Sequence, residues 1–250
     1  MLSRLFSQNK KEPLNSKTPD NTVIYAVGDV HGCCDLLVKM YAKIKEDAEN
    51  FPAERKVIVF LGDYIDRGFQ TKEVLEYLTT EPFDGFETVF IKGNHEWVME
   101  EFLNDPINSP DWLHWGGDAV IYSYGINYAE FRHDLAKLAE KLKEALPAKH
   151  LEFLQNLKLY HTEGDYVFVH AGIRPNVPLE KQSVYDLISI RREFFFSDDV
   201  LDKAVVFGHT IFDEPFYRNN RIGVDTGACV SGVLTAARLH GEDVDFISVK

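Results

Sequence analysis

The sequence is poor in sulfur and short of cations. Its three cysteines include the adjacent pair Cys33 and Cys34, which cannot easily bridge each other. No disulfide framework is therefore expected, and a reducing, cytoplasmic setting fits. Lysine and arginine number 27 against 40 aspartates and glutamates, a formal charge of −13. That balance argues against a nucleic-acid partner, whose binding draws on counterions released by clustered Lys and Arg. No stretch reaches the roughly 18 consecutive apolar residues of a membrane span, so no membrane partner is expected either. Met1–Asp20 holds no apolar segment of signal-peptide length; with Pro13 and Pro19 it reads as a flexible polar tail. Internal repeats and low-complexity tracts are missing.

What is present supports a large core, with 45% apolar and 13% aromatic residues. Short β-branched and aromatic runs predict strands at Val23–Val27, Val57–Leu61, Thr88–Ile91, Tyr166–Val169 and Ala204–Phe207. Further strands are expected at Arg221–Val224, Val233–Leu239 and Val244–Val249. Between the early strands, Leu36, Leu37, Met40, Tyr41 and Ile44 share one helical face, as do Val74, Leu75 and Leu78, and then Trp97, Val98 and Phe102. The first half thus reads β-α-β-α-β and the C-terminal part mostly β, a layered α/β arrangement over residues 21–250. Residues 105–160 read as a helical insertion beside the site. It holds an aromatic stretch (Trp112, Trp115, Tyr122, Tyr124, Tyr128), then a helix on Leu135, Leu138, Leu142 and Leu146 stopped by Pro147, and a shorter helix near Leu151–Leu157.

Five polar motifs, each following an apolar run, hold the chemistry. They are Gly28-Asp29-Val30-His31-Gly32, Gly62-Asp63-Tyr64-Ile65-Asp66-Arg67-Gly68, Gly93-Asn94-His95-Glu96, His170-Ala171-Gly172 and Gly208-His209. In open α/β sheets ligands gather beyond the carboxyl ends of strands, where all five fall. Asp29 and His31 are two residues apart, so in extended chain both side chains reach one metal. Asp63 offers a carboxylate that two metals can share, and Asn94, His170 and His209 complete a second centre. Two cations about 3.5–4 Å apart activate a water and clamp phosphate oxygens for in-line attack. His95 is suited to protonate the leaving group, with Asp66 orienting its ring, and Arg67 can take two phosphate oxygens in a fork. Each motif alone is weak; five in order are specific.

These motifs, GDVHG, GDYIDRG, GNHE, HAG and GH, closely resemble the phosphoprotein phosphatase (PPP) family of metallophosphoesterases. The resemblance spans Asp29 to His209 and implies the calcineurin-like metallophosphoesterase fold, a two-sheet β-sandwich flanked by helices. It implies two divalent metal ions, manganese foremost, with iron, zinc, nickel or magnesium as other occupants. One would sit on Asp29, His31 and Asp63, the other on Asp63, Asn94, His170 and His209. It casts His95 with Asp66 as the acid pair, and Arg67 with Asn94 at the phosphate. A second family arginine follows the HAG motif; Arg191 is its best match, with Arg192 and Arg174 as alternatives. The compact size and the run His170-Ala171-Gly172-Ile173-Arg174-Pro175 look like the smaller bacterial-type members. Position 211 is Ile, where the broader superfamily often carries a second histidine.

Other candidates carry blander readings. His114, His133, His150, His161 and His240 read as surface or capping residues, Cys33 as a small buried filler, the aromatic stretch as core, and Asp225 equally well as part of a turn. The activity expected is metal-dependent phosphomonoester hydrolysis by a serine/threonine-type protein phosphatase, on phosphoserine, phosphothreonine or phosphotyrosine, so that the partner is a phosphorylated protein or small phosphoester. Sparse basic residues in the insertion favour that over the alternative, a dinucleoside polyphosphate (diadenosine tetraphosphate) hydrolase using the same site. A silent binding module is disfavoured because every ligand position and the acid pair are filled.

Overall fold

A computed structural model describes residues 16–81, 83–199 and 201–250. The first sheet has the order β10-β9-β1-β2-β3, from β1 (Thr22–Val27), β2 (Arg55–Phe60), β3 (Glu87–Phe90), β9 (Leu234–His240) and β10 (Asp243–Val249). The second has the order β4-β5-β6-β8-β7, from β4 (Tyr160–Glu163), β5 (Tyr166–Val169), β6 (Ala204–Phe207), β7 (Phe216–Arg218) and β8 (Arg221–Gly223). β1, β2 and β3 run parallel, as do β5, β6 and β8, and the outer pairings are antiparallel.

Successive side chains of a strand point to opposite faces, and here both faces are covered. Ile24 and Ala26 of β1 and Val57 and Val59 of β2 pack inward, against Tyr166 and Phe168 of β5 and Ala204 and Val206 of β6. The alternate residues Val23, Tyr25, Val27, Ile58 and Phe60 face a helical layer that includes Leu37, Met40 and Ile44. On the far side Val167, Val169, Val205 and Phe207 pack against Leu187, Ile188, Phe194 and Phe195. The register keeps like faces together, with Ile24 opposite Val57 and Phe168 opposite Val206. The layering is helix, sheet, sheet, helix. Each fully buried Val, Ile or Leu contributes about 1.5–3 kcal/mol, so a one-residue slip in any central strand is strongly disfavoured.

The helices follow from their apolar stripes. Before β4 they are α1 (Cys34–Glu49), α2 (Thr71–Thr80), α3 (Asn94–Asn104), α4 (Gly117–Ser123), α5 (Tyr128–Phe131), α6 (Leu135–Ala145) and α7 (Ala148–Gln155); after it come α8 (Val184–Ser189), α9 (Arg192–Phe195) and α10 (Ala228–Ser231). The Asp134 carboxylate accepts the Lys137 N–H to start α6, and Pro147 separates it from α7. α3 buries Met99, Phe102 and Leu103, whereas Trp97 and Val98 of the expected face are only half-buried.

Three expectations change. β4 and β7 were not legible. Both are edge strands without apolar alternation, Tyr160-His161-Thr162-Glu163 and Phe216-Tyr217-Arg218. His150 is not a surface residue but fully buried, between the Tyr124 hydroxyl at 2.7 Å and the Glu76 carboxylate at 3.1 Å. Of the expected tail, residues 1–15 lie outside the described residues, but Thr18 is buried and its N–H donates to Gly241 O at 3.1 Å. Among the described residues no helix is long and apolar enough to cross a membrane.

Candidate metal centre

The carboxyl ends of β1, β2, β3, β5 and β6 deliver the five motifs to one place. The loops after β1 and β2 are fused by backbone bonds: Val30 and His31 N–H donate to Asp63 O, Gly32 N–H to Tyr64 O, and Gly68 N–H to His31 O. The loops touch so closely that a Cβ on Gly32 would lie 2.3 Å from Gly68 O. At Gly93, likewise, a Cβ would lie 2.0 Å from Asp63 Oδ1. His31, Asp63, Asp66, Arg67 and His209 all adopt left-handed backbone, with φ between 44° and 68°. Such conformations cost about 1–3 kcal/mol each and persist only where surrounding structure imposes them.

Asp63 stands at the centre. Its Oδ1 accepts the His95 N–H at 3.1 Å, which leaves Oδ2 facing His170 Nε2 at 3.3 Å, His31 Nε2 at 3.6 Å and His95 Nε2 at 3.9 Å. Two groups able to hold a cation share this carboxylate: His31, Asp63 and His95, and Asp63, His170 and His209. The far nitrogens of two of these rings are fixed by carbonyls, with His31 Nδ1 bonded to Ile65 O at 2.9 Å and His170 Nδ1 to Leu61 O at 2.8 Å. Each Nδ1 is thereby assigned the proton, and each Nε2 lone pair turns to the centre, the outer-partner arrangement typical of metal-binding histidines. Asn94 Oδ1 and His209 Nδ1 lie 3.1 and 3.2 Å from His170 Nε2. Asp29, expected on the first metal, is in neither group; its carboxylate accepts the His209 N–H at 3.0 Å.

The electrostatics fit a divalent cation. Oxygens and imidazole lone pairs converge and face what positive charge there is. Arg67 Nη1 lies 2.8 Å from His31 Nε2 and Nη2 lies 3.1 Å from His95 Nε2. Burial disfavours a charged His170, but the Asp63 carboxylate more than offsets it and raises the ring to about 9, so a cation bound there would displace that proton. Burial pushes His31 down to about 3 and His209 well below the ordinary imidazole value, keeping both rings neutral as ligands require. Burial, then the neighbouring Asp225, drives Asp29 well above the usual carboxylate range. His209 Nε2 is buried with no hydrogen-bond partner among the described residues, leaving a ring nitrogen for an incoming group.

His95 and Asp66 are paired through Nδ1 and Oδ2 at 2.5 Å. Burial opposes a charged His95, yet Asp63 and Asp66 together raise it above the ordinary value. The three candidate arginines separate cleanly. Arg191 Nη1 donates to His209 O at 3.1 Å and Thr210 Oγ1 at 3.2 Å, beside the centre. Arg174 is held in a two-pronged pair with Asp186, and the Arg192 guanidinium lies over the Phe196 ring.

Three residues carry more than the sequence disclosed. Glu96 is buried, and its carboxylate accepts four backbone N–H groups: Asp63 at 3.0 Å, Tyr64 at 2.8 Å, Ile65 at 3.3 Å and Gly93 at 2.9 Å. One side chain thus sets the loop of Asp63 against the loop of Asn94. Its place in GNHE was the available signal. Trp112, fully buried, donates its indole N–H to both Asp66 oxygens, at 3.0 and 3.1 Å. Asp225 is more than a turn residue: it is buried, accepts the Gly227 N–H at 2.8 Å, and acts on Asp29. Cys33, expected as a buried filler, is only half-buried, and its Sγ donates to His31 O at 3.4 Å.

The model of the calcineurin-like phosphoesterase family matches residues 22–228. A bis(5'-nucleosyl)-tetraphosphatase PrpE (asymmetrical) from Anoxybacillus flavithermus is 28% identical over 235 residues, 85% of this chain and 88% of that protein. Its namesake from Bacillus subtilis is 25% identical over 244 residues, 89% and 92% of the two chains. A crystal structure provisionally assigned to a diadenosine tetraphosphatase superposes with a TM-score of 0.61 at 19% identity, covering 94% of this chain and 99% of that one. At that identity the likeness speaks for the fold alone. The chain belongs to the calcineurin-like phosphoesterase family.

Proposed function

We propose that this calcineurin-like phosphoesterase hydrolyses dinucleoside polyphosphates such as diadenosine tetraphosphate. The observation that supports metal-dependent hydrolysis is the shared position of Asp63 between two imidazole-bearing groups. The relatives whose sequences run along most of the chain bear a dinucleoside tetraphosphatase name, which favours that substrate over the phosphoprotein expected from motif resemblance. Asp29, His31 and Asp63 would hold one divalent cation, and Asp63, Asn94, His170 and His209 the other, with manganese our assignment. When bound, the pair supplies Lewis-acid polarisation of phosphoryl oxygens and lowers the pKa of the attacking water.

The chain's own groups do the rest. Arg67 and Arg191 offer guanidinium forks to phosphate oxygens, with Asn94 beside them. His95 gives a proton from Nε2 to the departing oxygen, while Asp66 holds the ring through Nδ1 and Trp112 holds Asp66. Three unpaired thiols suit a reducing cytoplasm for this activity.

The test is a rate comparison on manganese-loaded protein between diadenosine tetraphosphate and a phosphoserine peptide, with Asp63→Ala as control. The expected result is a higher kcat/KM for the dinucleotide and loss of both rates in the variant. Faster peptide turnover would overturn the substrate, and an active Asp63→Ala protein would overturn the enzyme.

A further inference from the structure

The aromatic stretch expected to be core divides in the structure: Trp115 and Tyr122 are exposed, and Trp115 sits at the proton donor. Pro110–Trp115 forms a 3-10 helix, in which residues three apart lie on one face. Trp112 and Trp115 therefore point the same way, toward the loop of Asp66. Trp112 is fully buried on Asp66, whereas Trp115 is 47% exposed with its ring 6.1 Å from the His95 ring and tilted 60° to it.

The backbone beside Trp115 is held by close contacts. Next in the chain, Gly116 accepts the Arg67 N–H at 3.1 Å, and a Cβ there would lie 2.7 Å from Arg67 N. Trp115 is thus fastened on one side through Trp112 to Asp66 and on the other to the backbone of Arg67. Single exposed aromatics are common on protein surfaces. What distinguishes this one is an open indole within a ring's width of the imidazole that meets the leaving group. Trp97, by contrast, is half-buried, packs against the cluster that includes Phe194, and gives its N–H to Glu101. In the proposed reading Arg67 and Arg191 are engaged with phosphate, which leaves the indole as the open flat face for a base.

We propose that Trp115 is the stacking face for the base of the departing nucleotide and sets the selectivity of the site for nucleotide leaving groups. The inference rests on the dinucleotide reading of the centre. The leaving nucleotide lies on the His95 side, and its base reaches over the indole while its phosphate stays at Arg67.

The test measures inhibition of aryl phosphate turnover by adenosine monophosphate and by ribose 5-phosphate, which lacks the base. Stacking on an aromatic side chain is lost on truncation to alanine with an effect of about 5- to 150-fold. Trp115→Ala is expected to weaken adenosine monophosphate by that factor and leave ribose 5-phosphate unchanged, and Trp115→Phe to keep most of the preference. An unchanged ratio of the two inhibition constants in Trp115→Ala would overturn the proposal. So would parallel weakening of both, which marks a packing role beside His95, or the absence of any preference in the natural protein. A phosphopeptide hydrolysed faster than diadenosine tetraphosphate, with the Trp115-dependent preference intact, would remove the substrate reading and leave the stacking face standing.

Discussion

The loops at the strand ends and the helices between β3 and β4 are built on opposite principles. The loops hold five left-handed non-glycine residues and a set of buried charges, bound together by Glu96 and backbone bonds. From Trp97 to Gln155 no non-glycine residue has positive φ, and the buried face is mostly apolar packing, as at Leu138, Ala139, Leu142 and Leu154. The strained region is positioned for the bond-breaking chemistry. Past the first turn of α3, the relaxed region meets it through the Trp112 and Trp115 indoles and the Gly116 carbonyl. Strain and buried charge fix the chemistry to a narrow geometry, whereas the helical stretch is free to vary what lies beside it.

Substitutions can break or sharpen this contrast. The largest effect is expected at His95: His95→Asn should lower kcat by about 10²–10⁴ on alkyl phosphates, which need a proton on the leaving oxygen. The loss on activated aryl phosphates should be much smaller, and equal losses on both would remove the acid role. Glu96→Gln comes next. It replaces one acceptor oxygen, which takes two backbone N–H bonds, with a donor, and so loosens Asp63 and Asn94. A loss of about 10- to 100-fold in metal affinity is expected, read by metal titration. Unaltered affinity would mean that the loops hold their shape without it.

The smallest effect belongs to the helical region. Burial lowers the pKa of His150 below its ordinary 6.5, with Glu76 only partly opposing. A depressed imidazole contributes stability above about pH 6.5 and loses it as pH falls through that value, because the unfolded chain takes up the proton first. Tm should therefore decline from pH 7 to pH 5.5, and His150→Gln should flatten the decline while leaving turnover close to the natural level. A turnover loss as large as that of Glu96→Gln would dissolve the distinction between the two regions.

Much of the candidate centre was legible because its expected members follow apolar runs. Asp29, Asp63, Asn94, His170 and His209 each sit just past a strand, and a strand's carboxyl end is where a loop opens. β4 and β7 were hidden because edge strands need no alternating pattern. Glu96 looked like one letter of a motif, since backbone N–H groups 31 to 33 residues away in sequence leave no trace in composition. His150 looked like a surface residue because its burial depends on Tyr124 and Glu76, both distant in sequence.

The sequence by itself determined the residue types of the candidate centre and their order, because few side chains are able to coordinate a cation or pass a proton. Local spacing also set most strands and helices, because each must bury a stripe of fixed period. Only the tertiary structure decided which arginine faces the centre, which tryptophan is buried and which is open, and that Asp225 bears on Asp29. Each of those outcomes depends on which distant backbone and charge a side chain meets, a relation between chain segments that no single stretch of sequence contains.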